Sequence, residues 1–103
     1  MSILNMNAES YRKFTQAKQP VMVEFSAPWC VYCRRLAPAL EGVAEEYRDT
    51  LVFGAVNIDD DPELAQSEKI EVVPTLLIYQ NGQVLGSIVA PESRAQLVAF
   101  IEE

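Results

Sequence analysis

The sequence contains no histidine and only two cysteines among its 103 residues. Secreted domains that depend on disulfides are much richer in cysteine, and a chain of this length with 50% apolar residues can bury a core without them. Without histidine or a third cysteine, one chain cannot supply the four thiolates, or the two thiolates and two imidazoles, of a structural zinc site. We therefore predict no metal site within a single chain.

Long apolar runs and clustered positive charge are also missing. No segment approaches the roughly 18 consecutive apolar residues of a membrane span, and the polar stretch from residue 2 to residue 19 lacks the features of a secretory signal. The 15 acidic and 8 basic residues give a net charge of −7, whereas nucleic-acid binding requires clustered lysine and arginine. We expect a cytoplasmic protein whose acidity serves solubility, with neither nucleic acid nor a membrane as a partner.

Hydrophobic periodicity predicts one α/β domain over residues 1–103. The predicted strands lie at 3–4, 21–25, 51–58, 75–79 and 84–89. The first predicted helix runs from the Asn7 cap to Lys18, and the second begins at the cysteines and has a kink at Pro38. The third begins at Asp61-Pro62, and the fourth begins at a Ser93–Gln96 capping box. Asn81-Gly82 marks a hairpin. The order βαβαβαββα implies a central mixed sheet, parallel except for a terminal antiparallel hairpin, with helices on both faces.

The two cysteines stand three residues apart, in the segment Trp29–Cys33, where a strand gives way to a helix. Backbone N–H groups and the helix dipole favour an anion at that end, so we expect the thiolate of Cys30 to be stabilised and to be the attacking sulfur. Cys33, which we expect to be the more buried thiol, would resolve the mixed disulfide that results. The alternative is an inert disulfide or two unrelated core thiols, which the neighbouring tryptophan and the polar Arg34-Arg35 pair make less attractive.

Glu24 is an isolated charge within the apolar run Val21–Phe25. Burial without a cationic partner raises the pKa of a carboxyl group, and such a group can take and return a proton near neutral pH. We therefore predict that Glu24 takes part in acid–base chemistry. The alternative places this strand at an edge of the sheet, with Glu24 simply solvated.

Several motifs together resemble the thioredoxin family over essentially the whole chain. They are Ala27-Pro28-Trp29-Cys30 with Cys33, the downstream Pro38, Val73-Pro74-Thr75, and Asn81-Gly82, in this order and spacing. Each motif is weak alone, but a W-C-x-x-C motif followed about forty residues later by V-P-T before a hairpin is specific. The resemblance implies the thioredoxin fold and a thiol–disulfide oxidoreductase, most simply a protein disulfide reductase that works by dithiol–disulfide exchange.

The resemblance also implies roles for individual residues. Cys30 would attack, Cys33 would resolve, and Glu24 would replace the family's aspartate as the proton shuttle. The Val73–Pro74 bond is implied to be cis and to lie against the cysteines, which leaves the Val73 backbone free to pair with an extended substrate. The implied substrate-binding surface comprises Trp29, Val31, Tyr32, Val73, Pro74 and Ala90.

Besides Glu24, five positions depart from the family pattern. Val31-Tyr32 replaces the usual Gly-Pro between the cysteines, which changes the backbone N–H groups near the thiols and so bears on the reduction potential. Ser26 stands where a second tryptophan is common, and Ala90 stands where a glycine usually lines the substrate groove. Ala55 occupies the position at which the family often places a lysine near the buried carboxylate.

The resemblance implies no bound cofactor apart from the redox-active Cys30–Cys33 disulfide. The four glycines form no G-x-G-x-x-G motif for a nucleotide, so the electrons would come from a separate thioredoxin reductase. Protein disulfides are the expected substrates, and a monomer is expected.

Two alternative functions stay open at this point. The first is a protein disulfide oxidase or isomerase, or a glutaredoxin-like redox protein, since glutaredoxins carry a tyrosine before their second cysteine, as this chain does with Tyr32. A reduction potential near about −270 mV fits the reductase, and one above about −200 mV contradicts it. The second is a non-enzymatic binding module, or a metal site formed between two chains by paired C-x-x-C motifs.

Overall fold

Residues 3–103 are described by a computed structural model and contain five strands and four helices in the predicted order. These elements are β1 (Ile3–Asn5), α1 (Ala8–Thr15), β2 (Val21–Ser26), α2 (Val31–Glu46), β3 (Val52–Asn57), α3 (Pro62–Ser67), β4 (Thr75–Gln80), β5 (Gln83–Val89) and α4 (Arg94–Glu102). The longest, α2, contains Pro38, and the predicted kink there stays a prediction. Within this described range, no helix has both the length and the apolar character that crossing a membrane requires.

The strands form one mixed sheet in the order β1-β3-β2-β4-β5. β1, β3 and β2 run parallel, whereas β4 is antiparallel to both β2 and β5. The predicted mixed sheet is therefore confirmed. Antiparallel pairing is not limited to the predicted β4–β5 hairpin, because β4 also runs antiparallel to β2. β2 lies at the centre, which explains why all five residues from Val21 to Phe25 are buried.

Apolar clusters cover both faces of this sheet, as predicted. On one face Met22 of β2 packs with residues of α2 and α4, among them Leu40 and Leu97. On the other face Val23 packs with Tyr11 of α1, and the helix α3 adds the partly buried side chain of Leu64. Because side chains alternate along a strand, Glu24 shares the face of Met22 and points toward the α2 layer.

The first helix ends at Thr15, three residues before the predicted end at Lys18. The backbone at and just beyond this end is held by a contact that lies far away in sequence. The N–H of Gly82 donates to the carbonyl of Thr15 at 2.8 Å, and the N–H of Asn81 donates to the carbonyl of Ala17 at 2.9 Å. The tip of the β4–β5 hairpin therefore satisfies two carbonyl groups that the end of a helix leaves without an N–H partner.

Two predicted helix starts differ in detail from the structure. α3 begins at Pro62, but the side chain of Asp61 makes no capping hydrogen bond, so that part of the prediction is wrong. At α4 the hydroxyl of Ser93 accepts from the N–H of Gln96 at 3.2 Å, as predicted. The Gln96 side chain accepts from the N–H of Glu92 at 2.6 Å rather than from the capping residue itself, which fixes the connection between β5 and α4.

Candidate active site

Cys30 and Cys33 are joined by a disulfide at the start of α2. Cys30 is the N-cap residue, and its sulfur accepts a hydrogen bond from the N–H of Cys33 at 3.1 Å. A sulfur atom in this position meets the backbone donors and the positive end of the helix dipole, which favour a thiolate. The two side chains are 5% and 7% exposed, so the expectation that Cys33 is the more buried of the two is wrong, because the Val73 carbonyl also covers Cys30.

The loop before β4 lies directly against the disulfide. The Val73–Pro74 bond is cis, as the resemblance implied, and the sulfur of Cys30 lies 3.6 Å from the carbonyl oxygen of Val73. The carbonyl of Pro74 accepts from the N–H of Ala90 at 2.7 Å. Ala90 has a φ of +47°, a conformation that glycine adopts more easily. Three loops that are distant in sequence therefore meet at the cysteines.

An exposed apolar surface adjoins the disulfide. Trp29 is 62% exposed, and Val31, Tyr32 and Val72 are exposed as well, so Trp29 lies on the surface and is not a core aromatic. Its indole N–H donates to a carboxylate oxygen of Asp59 at 3.1 Å. The sequence alone does not indicate this contact, because an aspartate in a run of three such residues carries no signal that distinguishes it from a solvated turn.

Glu24 is buried, with 8% of its surface exposed. Its neighbours in the sheet are Ala55 on β3 and Leu76 on β4, neither of which can bear a charge. Burial raises the pKa of the Glu24 carboxyl group to about 7. The interpretation of Glu24 as a solvated residue of an edge strand is wrong, since β2 is the central strand of the sheet.

Glu24 and Cys33 open onto the same cavity of about 310 Å³. Polar side chains of Ser26, Arg34 and Asn57 also line it, and the Arg34 guanidinium donates to the carbonyl of Pro28 at 2.8 Å. The cavity is open to solvent and partly polar, so it admits water, as a water-mediated proton transfer between the carboxyl group and the thiol would require. A larger cavity of about 480 Å³ near α1 and α3 includes neither residue.

A second cavity next to the cysteines joins residues from α2 and from the β5–α4 connection. It has a volume of about 240 Å³ and is lined by Tyr32, Arg35, Leu36, Ala90, Pro91 and Glu92. Tyr32 and Ala90, which were both expected on the substrate surface, meet at this cavity. Glu92 had no expected role, and Arg35 was considered only as part of a polar pair beside the cysteines.

The described residues, 3–103, contain no group of three or more histidine, cysteine, aspartate or glutamate side chains arranged to hold a metal ion. What the site offers is a cysteine pair that closes a disulfide at a helix start, beside a buried carboxyl group and an exposed apolar surface. Those features define a thiol–disulfide oxidoreductase with an active-site dithiol.

The chain belongs to the thioredoxin family, whose model, described as Thioredoxin, matches residues 2–103. A thioredoxin of Acidithiobacillus ferridurans is 36% identical over 102 residues, which cover 98% of this chain and 94% of that protein. A bifunctional thioredoxin reductase/thioredoxin of Mycobacterium leprae is 33% identical over 94% of this chain, which spans 21% of that protein. The crystal structure of the Malassezia sympodialis thioredoxin Mala s 13 superposes with a TM-score of 0.91 at 25% identity, covering 98% of this chain and 89% of the other. The protein is thus a thiol–disulfide oxidoreductase, a protein disulfide reductase of the thioredoxin type.

Proposed function

We propose that Cys30 attacks substrate disulfides, Cys33 resolves the mixed disulfide, and Glu24 carries the proton that Cys33 loses. One observation carries this assignment. The sulfur of Cys30 caps α2, where it accepts the N–H of Cys33, and it adjoins the Val73 carbonyl on the side of the exposed apolar surface. The helix start stabilises negative charge on this sulfur, and it is the sulfur beside which a substrate strand would bind.

In the first step the Cys30 thiolate attacks one sulfur of the substrate disulfide. A Cys30–substrate disulfide forms, and the other substrate sulfur leaves as a thiolate that takes up a proton. A substrate in extended conformation is proposed to pair with the backbone of Val73. The side chains of Trp29, Val31 and Tyr32, together with Ala90, provide the apolar contacts. Pro74 is fully buried and contributes by holding the Val73 backbone at the site.

In the second step Cys33 attacks the sulfur of Cys30 and releases the second substrate thiolate. The two thiols of the protein thereby become a disulfide, and the substrate disulfide gains two electrons and two protons. Cys33 is reactive only as a thiolate, and ionised Glu24 is proposed to accept its proton through water in the shared cavity. The protonated carboxyl group then returns the proton to the departing thiolate, which suits a group with a pKa of about 7.

We further propose that residues 1–103 work as one domain and as a monomer in the cytoplasm. A separate thioredoxin reductase would restore the dithiol, since the electrons come from outside the chain. The relative from Mycobacterium leprae, which is named as a reductase and a thioredoxin in one protein, supports this pairing. No cofactor beyond the cysteine pair enters the proposed mechanism.

The assignment of the two cysteines is tested by trapping. The Cys33→Ser variant should accumulate a mixed disulfide with a substrate such as insulin, because nothing resolves the bond to Cys30. The matched Cys30→Ser variant should accumulate little, because Cys33 lacks the N-cap position that stabilises a thiolate on Cys30. Both variants are incubated with insulin, quenched with acid and analysed by mass spectrometry without a reducing agent. Equal accumulation by the two variants would refute the roles of attacking and resolving cysteine.

A further inference from the structure

The second cavity, which is lined by Tyr32, Arg35, Leu36, Ala90, Pro91 and Glu92, forms a groove beside the cysteines. This groove contains one positive and one negative side chain that do not pair with each other. The guanidinium of Arg35 lies 5.7 Å from the ring centroid of Tyr32, a contact that holds it at the groove. Glu92 reaches the same groove from the β5–α4 connection. The ion pairs among residues 3–103 involve other arginines, namely Arg48 with Glu45 and Arg94 with Glu46. Both charges in the groove are therefore available to a ligand.

The groove is joined to the redox centre at both of its walls. On one side Tyr32 directly precedes Cys33 in α2. On the other side Ala90 donates its N–H to Pro74, whose neighbour Val73 touches the sulfur of Cys30. A molecule bonded to Cys30 can thus continue from the sulfur into the groove. The floor, which includes buried Leu36 and Pro91, gives it an apolar surface to cross.

The charges favour a ligand that carries both signs. A purely anionic group would be attracted by Arg35 and repelled by Glu92. A purely cationic group would be attracted by Glu92 and repelled by Arg35. The free end of an amino acid carries a carboxylate and an ammonium group side by side. Its carboxylate can accept two hydrogen bonds from a guanidinium, while its ammonium group neutralises the Glu92 carboxylate.

Arg35 follows Cys30 by five residues, which at 1.5 Å per residue corresponds to roughly 7–8 Å along the axis of α2. A ligand bonded to Cys30 therefore needs an arm between its sulfur and its charged end to use the length of the groove. In cystine the amino-acid end is two bonds from the sulfur, whereas in glutathione the γ-glutamyl arm separates the two by seven bonds.

We propose that this groove binds the γ-glutamyl amino-acid end of glutathione, or of a small thiol with the same layout, while its sulfur is bonded to Cys30. This inference rests on the proposed function. The Cys30 thiolate attacks the glutathione sulfur of a disulfide, forms a Cys30–glutathione disulfide and expels the other thiolate. Cys33 then displaces glutathione as a thiolate, which takes up the proton lost by Cys33. The protein dithiol supplies both electrons and ends as the Cys30–Cys33 disulfide.

The test compares three disulfides in a single turnover of the fully reduced protein. Glutathione disulfide carries the proposed recognition element, cystine carries an amino-acid end without the reach, and 2-hydroxyethyl disulfide carries no charge. Arg35→Gln and Glu92→Gln should each slow oxidation by glutathione disulfide by about three- to tenfold. Both should change the rates with the other two disulfides by less than about twofold. Protein thiols are counted with time after acid quenching.

Matched controls separate the groove from the net charge of the protein. Arg48→Gln and Glu9→Gln change the charge by the same amounts at exposed positions outside the groove, and they should leave all three rates within about twofold. A second readout uses Cys33→Ser, which should acquire the mass of one glutathione more slowly when Arg35→Gln is added. This measurement follows the bond to Cys30 and does not depend on turnover.

Three outcomes would overturn the groove assignment. Faster oxidation of Glu92→Gln than of its Glu9→Gln control by glutathione disulfide means that the groove attracts only a carboxylate. Equal slowing with glutathione disulfide and 2-hydroxyethyl disulfide means that the substitutions act on the thiols themselves. No difference from the control variants means that the groove does not bind glutathione. Reduction of insulin by the same preparations is measured in parallel. If the parent protein does not reduce insulin, the proposed function is refuted. If it does, the three disulfides test only the role of the groove.

Discussion

Glu24 owes its chemical character to the residues beside it. Ala55 and Leu76 flank it in the sheet, and no charged side chain comes from either neighbouring position. A cation at either position would lower the pKa of the carboxyl group, but burial without such a cation raises it to about 7. The carboxyl group is therefore divided between its acid and base forms at neutral pH, as a group that both accepts and returns a proton must be.

The first prediction concerns the Glu24→Gln variant. In the parent protein, resolution by Cys33 should accelerate as pH rises through about 7, because Glu24 becomes ionised and can accept a proton. Glu24→Gln should lack this inflection and be slower by roughly 10²-fold near pH 7.5, the lower end of what general-base catalysis contributes. The two proteins should converge near pH 9, where a thiol with a pKa of about 8.5 ionises without help. The measurement is the rate of mixed-disulfide decay after rapid mixing, at a series of pH values.

A pH–rate profile with the same inflection in Glu24→Gln would exclude the shuttle. A natural control is Glu41→Gln, which removes a carboxyl group from α2 that lies outside the shared cavity. Its profile should match that of the parent protein.

At the scale of secondary-structure elements, a chain of buried hydroxyl groups links α1, β4 and the end of α3. The hydroxyl of Tyr11 donates to that of Tyr79 at 2.7 Å, and Tyr79 donates to the Glu68 carboxylate at 2.7 Å. Burial raises the pKa of both tyrosines, Tyr79 more strongly because the hydrogen bonds with Tyr11 and Glu68 act in the same direction. Both therefore stay protonated and keep donating throughout the physiological pH range.

The direction of these bonds predicts unequal effects of two similar substitutions. Tyr79→Phe removes both hydrogen bonds of the Tyr79 hydroxyl and leaves Tyr11 with the Glu68 carboxylate as its remaining partner, so it should lower the free energy of unfolding by about 2 kcal/mol. Tyr11→Phe removes a donor but leaves Tyr79 bonded to Glu68, so the loss should be about 1 kcal/mol. Urea denaturation of both variants measures the difference. Equal losses, or a larger loss in Tyr11→Phe, would contradict donation from Tyr11 to Tyr79 and from Tyr79 to Glu68.

Local patterns predicted the elements better than they predicted how those elements meet. The apolar run at Val21–Phe25 and the Asn81-Gly82 turn were sufficient for the order of strands and helices, since both signals are contained in a few residues. The end of α1 was predicted three residues too late, and the contact that holds this end could not be predicted because it comes from the distant hairpin. Glu24 could be found from its isolation among apolar residues. Arg35 and Glu92 could not, because their proximity exists only after α2 and the β5–α4 connection pack together.

At the scale of the whole molecule, the burial of Glu24 affects the stability of the fold. The unfolded chain releases the proton of this carboxyl group near pH 4.5, whereas the folded protein keeps it until about pH 7. Between these values unfolding is accompanied by loss of a proton, so rising pH favours the unfolded state. The contribution of Glu24 to stability is fully present below about pH 4.5, falls through this window, and stays constant above it.

The resulting prediction is a difference between two stability curves. From pH 4.5 to pH 7 the parent protein should lose about 3 kcal/mol relative to Glu24→Gln, whose side chain does not ionise. Subtracting the two curves removes the contribution of the other 14 acidic residues, which both proteins share. Guanidinium denaturation of the oxidised proteins at several pH values gives both curves. A difference that stays constant across the window would show that Glu24 is not buried in solution as it is in this structure.

The hairpin tip that ends α1 also limits where this protein can be cut or extended. An exposed Asn-Gly turn is ordinarily a favourable place to insert a foreign peptide or to open the chain for circular permutation. In this protein the N–H groups of Asn81 and Gly82 hold the carbonyls of Ala17 and Thr15, so an insertion at this turn would also release the C-terminal end of α1. The exposed connection between α2 and β3, around Arg48 and Asp49, is the better position for a display loop or a fusion partner.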